Sequence, residues 1–146
     1  MRQILVFVHL VFAAVWLGCI LTEALFERAL LAKGHEAHLI LAELHVRVDK
    51  LIEVPAIFVV LGSGAIMAMQ AYPSAAWFYV MVAAGLGAIV LNFFCVFLVF
   101  KRRAVAVAGN WNEFNRLDHI QHKAGAAVLL LVLVALIAGV AGKSVA

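Results

Sequence analysis

Residues 4–22 read ILVFVHLVFAAVWLGCILT, nineteen positions without Asp, Glu, Lys or Arg. A helix rises about 1.5 Å per residue and the hydrocarbon core of a bilayer is about 30 Å thick, so roughly 20 apolar residues make one crossing. Working outward, three more predominantly apolar runs follow, at about 51–69, 76–100 and 124–142. Across all 146 residues (15.8 kDa), 67% are hydrophobic, 13% are charged and the mean hydropathy is +1.11. That balance excludes a soluble domain, and the stretches between the runs are too short to hold a separate catalytic or DNA-binding module.

The expectation is therefore an all-α integral membrane four-helix bundle, a single transmembrane domain over 1–146 with helices at about 3–32, 35–70, 76–108 and 111–142. Lys33 and Gly34 supply a cationic last turn and a glycine stop for helix 1. Residues 35–50 contain no Gly or Pro, so helix 2 starts near His35, well before its apolar part, and Pro55 either kinks it or is accommodated by neighbouring helices. Tyr72-Pro73-Ser74 and Gly109-Asn110 mark the next two turns. The segment Leu17-Gly18-Cys19 faintly resembles a lipoprotein signal. Trp16 occupies a position where such a signal wants a small aliphatic residue, and the first run is read as a retained helix.

Charge sets the expected orientation. Arg28, Lys33, Arg47, Lys50, Lys101, Arg102, Arg103, Arg116 and Lys123 flank the first and third loops, whereas Arg2 and Lys143 alone lie at the other end. Nine against two is a positive-inside bias, which places both termini in the periplasm or exterior and the extensions of helices 2 and 4 on the cytoplasmic side of, most simply, a bacterial inner membrane. The same distribution explains the net charge of +3 without nucleic acid as a partner. The run Lys101-Arg102-Arg103 reads as a topology and anionic-lipid anchor. Cys19 and Cys95 both fall inside apolar runs, where a disulfide framework is not expected.

At 100° per residue, Trp16, Glu23 and Glu27 share one face of helix 1 with His9. On helix 2, His45, Asp49, Ser63, Met67 and Gln70 align with His38, Glu53 lies somewhat to the side, and Glu36, Glu43, Arg47 and Lys50 form a separate charged face. Helix 3 carries a weaker stripe of Met81, Gly85, Ala88, Asn92 and Cys95. Polar groups facing lipid are costly, so these stripes are expected to face one another. They sort by depth: His9, Met67, Met69 and Met81 gather toward the exterior end, and Glu23, Glu27, His45, Asp49, Glu53, Asp118, His119 and His122 toward the cytoplasmic end.

Several chemistries fit these groups. Imidazoles ligate haem iron, which makes His9, His45, His119 and His122 the cofactor-binding candidates, with opposed histidines of a bundle able to bracket haem b. His9 with Met67, Met69 and Met81 makes a soft Cu(I) set, with Cys19 and Cys95 as intermediate thiols. Glu23, Glu27, Asp49 and Glu53 form a polar cluster that serves as a proton relay or as an ion network with Lys123 or Arg116, and a hard-metal site is a further use for the same carboxylates. His35 and His38 read as solvated.

The stretch His9–Gly18, HLVFAAVWLG, resembles the opening of small membrane proteins of the HemJ type, the membrane-bound protoporphyrinogen oxidase family, and of the related copper-resistance D (CopD) proteins. Leu51-Ile52-Glu53-Val54-Pro55-Ala56 is similar to a Leu-Ile-x-x-Pro-Ala segment of the HemJ family, and Lys101-Arg102-Arg103 followed by Gly109-Asn110 is similar to its basic loop after helix 3. The resemblance implies haem or metal at His9. Where that family carries a lysine near the start of helix 3, this chain reads Trp77-Phe78-Tyr79-Val80-Met81. The expected function is a haem b-binding inner-membrane redox protein, an oxidoreductase or electron carrier acting with a quinone, a porphyrin or a membrane redox partner. Copper handling of the CopD-like type is the alternative. A third is a structural subunit, able to pack as a homo-oligomer or in a larger complex through Gly62, Gly64, Gly85 and Gly87.

Overall fold

The computed structural model describes residues 1–30, 33–70 and 75–145, the last three of these by their backbone alone. Four long helices make up the chain: α1 (Arg2–Leu30), α2 (His35–Gln70), α3 (Ala76–Val107) and α4 (Trp111–Val145). All four are long and apolar enough to cross a membrane. No strand occurs among the described residues. The expected end of helix 1 at Ala32 and the Tyr72-Pro73-Ser74 turn lie outside the described residues. Gly34 (φ 86°), at the N-terminal cap of α2, and Gly109 (φ 71°), where the chain leaves α3, have positive φ, which glycine adopts without strain.

Pro55 stands inside the continuous helical span of α2. It has no N–H for the carbonyl of Leu51, and its ring would crowd that carbonyl in a regular helix. The helix instead widens just before it: over Asp49–Glu53 it takes π-helical geometry, and the N–H of Val54 reaches back five residues to the carbonyl of Asp49. Such single wide turns recur at functional sites. This one buries Asp49 and Glu53 on the inner face of the bundle.

Among the helix pairs, α3 and α4 pack most extensively, α1 lies against the C-terminal half of α2, and the N-terminal half of α2 lies against α3. The central core is made by Trp16, Ala56, Ile57, Ala88, Ile89, Val128 and Val132. Lipid tails are as apolar as these side chains, so helix association rests on close packing. Ala56 and Ala88, both essentially inaccessible, let the backbones approach. The outward faces carry large apolar residues such as Phe7, Leu25, Phe58, Val90, Phe97 and Ile137.

The polar stripes face inward, as their periodicity requires. Trp16, Glu27, His45, Asp49, Glu53, Ser63 and Asn92 are all buried. Gln70, at the end of the second stripe, is exposed. His35 is exposed and its ring stacks on Trp111 at 3.9 Å between centroids, whereas His38 is half-buried and stacks on Phe114 at 5.3 Å.

Candidate functional site: a buried ionic network and an oriented histidine

Among the described residues, Arg102 is the largest side chain to be completely enclosed, with 0% exposure. Its reading as a lipid anchor is therefore corrected: Lys101 and Arg103 face outward, where Arg103 meets Glu43 at 2.5 Å, while Arg102 points into the bundle. The reason is helical phase. Arg102 lies seven residues beyond Cys95, on the same face as Ala88 and Asn92, and its neighbours sit about 100° to either side.

Inside, the Arg102 guanidinium donates from Nη1 to Glu27 Oε1 at 2.7 Å and to Asp118 Oδ1 at 2.5 Å, and from Nη2 to His45 Nδ1 at 2.5 Å. Four helices thus meet at one side chain. A guanidinium only donates, so His45 Nδ1 accepts and the His45 hydrogen sits on Nε2, an atom that is buried with no partner among the described residues. His122 closes the network: Nε2 donates to Glu27 Oε2 at 2.7 Å and Nδ1 donates to the Asp118 carbonyl at 2.8 Å. Both partners are acceptors, so both ring nitrogens carry hydrogens and His122 is an imidazolium. The charges of Arg102 and His122 then balance those of Glu27 and Asp118. A cleft of about 180 Å³, lined by Glu27, His38, Leu41, Phe114, Asn115 and Asp118, opens beside the network. That is smaller than the roughly 300–1,000 Å³ of pockets that enclose a drug-sized ligand.

Next to this network, one oxygen each of Glu23, Asp49 and Glu53 lies within 4.8 Å of the others. Asp49 and Glu53 are 2% and 3% exposed. Glu53 also adjoins Asn92 and Trp16, and Trp16 Nε1 donates to Asn92 Oδ1 at 3.2 Å. Lys123 and Arg116 do not neutralise Glu23 and Glu53 as expected: Arg116 pairs with Glu113 at 2.9 Å on the surface, and Lys123 is exposed.

At the far end of α1, His9 Nδ1 lies 2.9 Å from Ser63 Oγ. The single Ser63 hydroxyl hydrogen is directed at the carbonyls of Val59 (2.6 Å) and Val60 (3.1 Å), which can only accept. Ser63 Oγ consequently accepts from His9 Nδ1, which places a hydrogen on that nitrogen, and the ring also meets the Val60 carbonyl. Gly64 makes room for the ring: a Cβ at that position would stand 3.2 Å from His9 Cε1.

The remaining candidates are placed as follows. His119 is exposed. Met69 is 88% exposed, and Met81 seats its sulfur against Gly139 of α4, so these two thioethers point to the surroundings and to the α3–α4 seam. Met67 is half-buried. Cys19 is buried, Cys95 is half-buried, and both are free thiols. The site residue that sequence reasoning left out is Arg102; Asp118 falls in the cluster expected at this end, and Ser63 on the expected stripe proves to be the partner of His9. Extending the Ala88–Asn92–Cys95 stripe by one heptad would have found Arg102. Comparison with protein-family models, curated proteins and solved structures finds no match for this chain.

Proposed function

We propose that this chain is an integral inner-membrane redox protein that holds haem b through Nε2 of His9, with both termini on the exterior face and the ionic network toward the cytoplasm. The observation that carries this reading is the hydrogen-bond chain Val59/Val60 carbonyls–Ser63–His9, which engages Nδ1 and favours the tautomer whose Nε2 lone pair can face iron. Histidines that bind metal are characteristically held this way, by a second hydrogen bond on the opposite ring nitrogen. His45 and His122 fit the role less well, because Nδ1 of His45 and both nitrogens of His122 are engaged by other groups. Their separation from His9 supports the same assignment: from His9 to Glu27 is eighteen residues of α1, about 27 Å along the axis.

Bound haem supplies one-electron chemistry; the chain supplies its orientation and surroundings. Ser63 fixes the rotation of the His9 ring, Gly64 leaves the space in which the ring stands, and the apolar outer surface of α1 admits a quinone or porphyrin partner from the lipid. The resemblance of His9–Gly18 to the HemJ and CopD families agrees with a metal-bearing His9. Copper handling finds less support, since Met69 and Met81 are turned elsewhere.

The test is a reduced-minus-oxidised visible spectrum of the protein in mild detergent, with metal analysis of the same sample. The expected result is a Soret band and a sharp reduced α band, both lost in His9→Ala and retained in His45→Ala. Absence of a Soret band, or its loss in His45→Ala alone, overturns the assignment; stoichiometric copper without haem replaces it with the copper reading.

A further inference from the structure

Three carboxylates that converge inside a membrane bundle require positive charge or protons. The neighbouring network supplies no spare cation: Arg102 and His122 balance Glu27 and Asp118, and both Nη atoms of Arg102 bond to Glu27, Asp118 and His45. Arg102 therefore acts on the three carboxylates only from a distance. We propose that Glu23, Asp49 and Glu53 form a binding site for one divalent, oxygen-preferring cation.

Geometry allows it. Three oxygens that all lie within 4.8 Å of one another share a centre no more than about 2.8 Å from each, a few tenths of an ångström outside the 2.0–2.6 Å of Mg²⁺ and Ca²⁺ coordination. An observation independent of that proximity also points to a ligand. Asp49 is 98% buried, being 2% exposed, and its Oδ2 has no hydrogen-bond partner among the described residues; Glu23 Oε1 is a second such atom. Leaving a buried carboxylate oxygen without a donor is costly, and a coordinated cation removes that cost. Asp49 and Glu53, four residues apart and both within the π turn, lie buried on one inner face of α2.

Donor chemistry narrows the cation. Three carboxylate oxygens favour Mg²⁺, Mn²⁺, Ca²⁺ or Fe²⁺ over Cu(I), which selects thiolate and thioether ligands. The site is separate from His9 and does not rest on the haem reading.

Mn²⁺ is the probe. Chelator-treated full-length protein in detergent is titrated with Mn²⁺, and free Mn²⁺ is followed by its electron paramagnetic resonance signal. The expected result is one saturable site per chain, competed by Mg²⁺ and weakened at least tenfold in Asp49→Asn and Glu53→Gln. Glu43→Gln, which removes an exposed carboxylate, is expected to leave the site intact. If the buried variants do not fold, the wild type decides alone: bound Mn²⁺ must broaden the Trp16 indole N–H resonance well before that of Trp77. No saturable binding in the wild type, binding kept in the Asp49→Asn/Glu53→Gln double variant, or a Trp16 resonance that stays sharp at saturation each overturns the proposal and leaves the carboxylates as a proton-sharing group.

Discussion

Replacing Arg102 with Met keeps the length and apolar stem of the side chain and removes its charge. Three contacts go with it, to Glu27, Asp118 and His45, at 2.7, 2.5 and 2.5 Å. The damage lies in what stays behind. Glu27 is only 6% exposed, and removing one partner of a buried ion pair costs about 3–5 kcal/mol because the survivor is left in a low-dielectric site. His122 still donates to Glu27, which places the expected loss near the lower end, about 3 kcal/mol. The assay is unfolding in mixed micelles with increasing sodium dodecyl sulfate, followed by far-ultraviolet circular dichroism. Lys101→Met and Arg103→Met serve as comparisons, since both side chains face outward, and neither should move the transition. Adding Glu27→Gln and Asp118→Asn to Arg102→Met should restore at least half of the loss, because the orphaned charges leave together. If Arg102→Met unfolds within about 1 kcal/mol of the wild type, like an exposed ion pair, the network is not what ties the four helices together.

Three further outcomes follow from the geometry. Gly64→Ala places a methyl group 3.2 Å from His9 Cε1, so the ring must shift by a few tenths of an ångström; the expected readout is a changed α-band position or reduced haem retention, with the helical circular dichroism unchanged. Trp16→Phe keeps the packing in the core but removes the 3.2 Å hydrogen bond to Asn92, for an expected loss of about 1 kcal/mol in the same micellar unfolding assay. Pro55→Ala supplies the N–H that the Leu51 carbonyl lacks and lets the wide turn over Asp49–Glu53 revert toward a regular helix; Mn²⁺ affinity should fall while thermal stability holds or rises.

Much of this architecture is readable along the chain because it follows from local physics. Helix number and most helix ends depend on runs of apolar residues and on Gly34 and Gly109, whose effects act within a turn or two. The inward direction of His9, Trp16, Glu23 and Glu27 is likewise a matter of 100° steps and of the cost of placing polar groups in lipid. Pro55 shows where that legibility stops. Its disruption of α2 is foreseeable from the missing N–H, but the widened turn over Asp49–Glu53, with Glu53 set beside Asn92 of α3, is not written in that local constraint.

Arg102 and the histidines make the same point about the site. Three consecutive basic residues after an apolar run look alike by composition, and only the phase of α3 relative to α1, α2 and α4 sends the middle one inside. The sequence places His9, His45 and His122 on inward or interfacial faces but holds no information on which ring nitrogen is free, because that depends on whether the group opposite is Ser63, Arg102 or Glu27. By itself, the order of residues determined four apolar helices and the stripes they turn inward, since hydropathy and helical period act between neighbours in the chain. The tertiary structure decided the charge balance of the buried network, the pairing of His9 with Ser63 and the convergence of Glu23, Asp49 and Glu53, since each depends on a rotation and depth between helices that no local rule specifies.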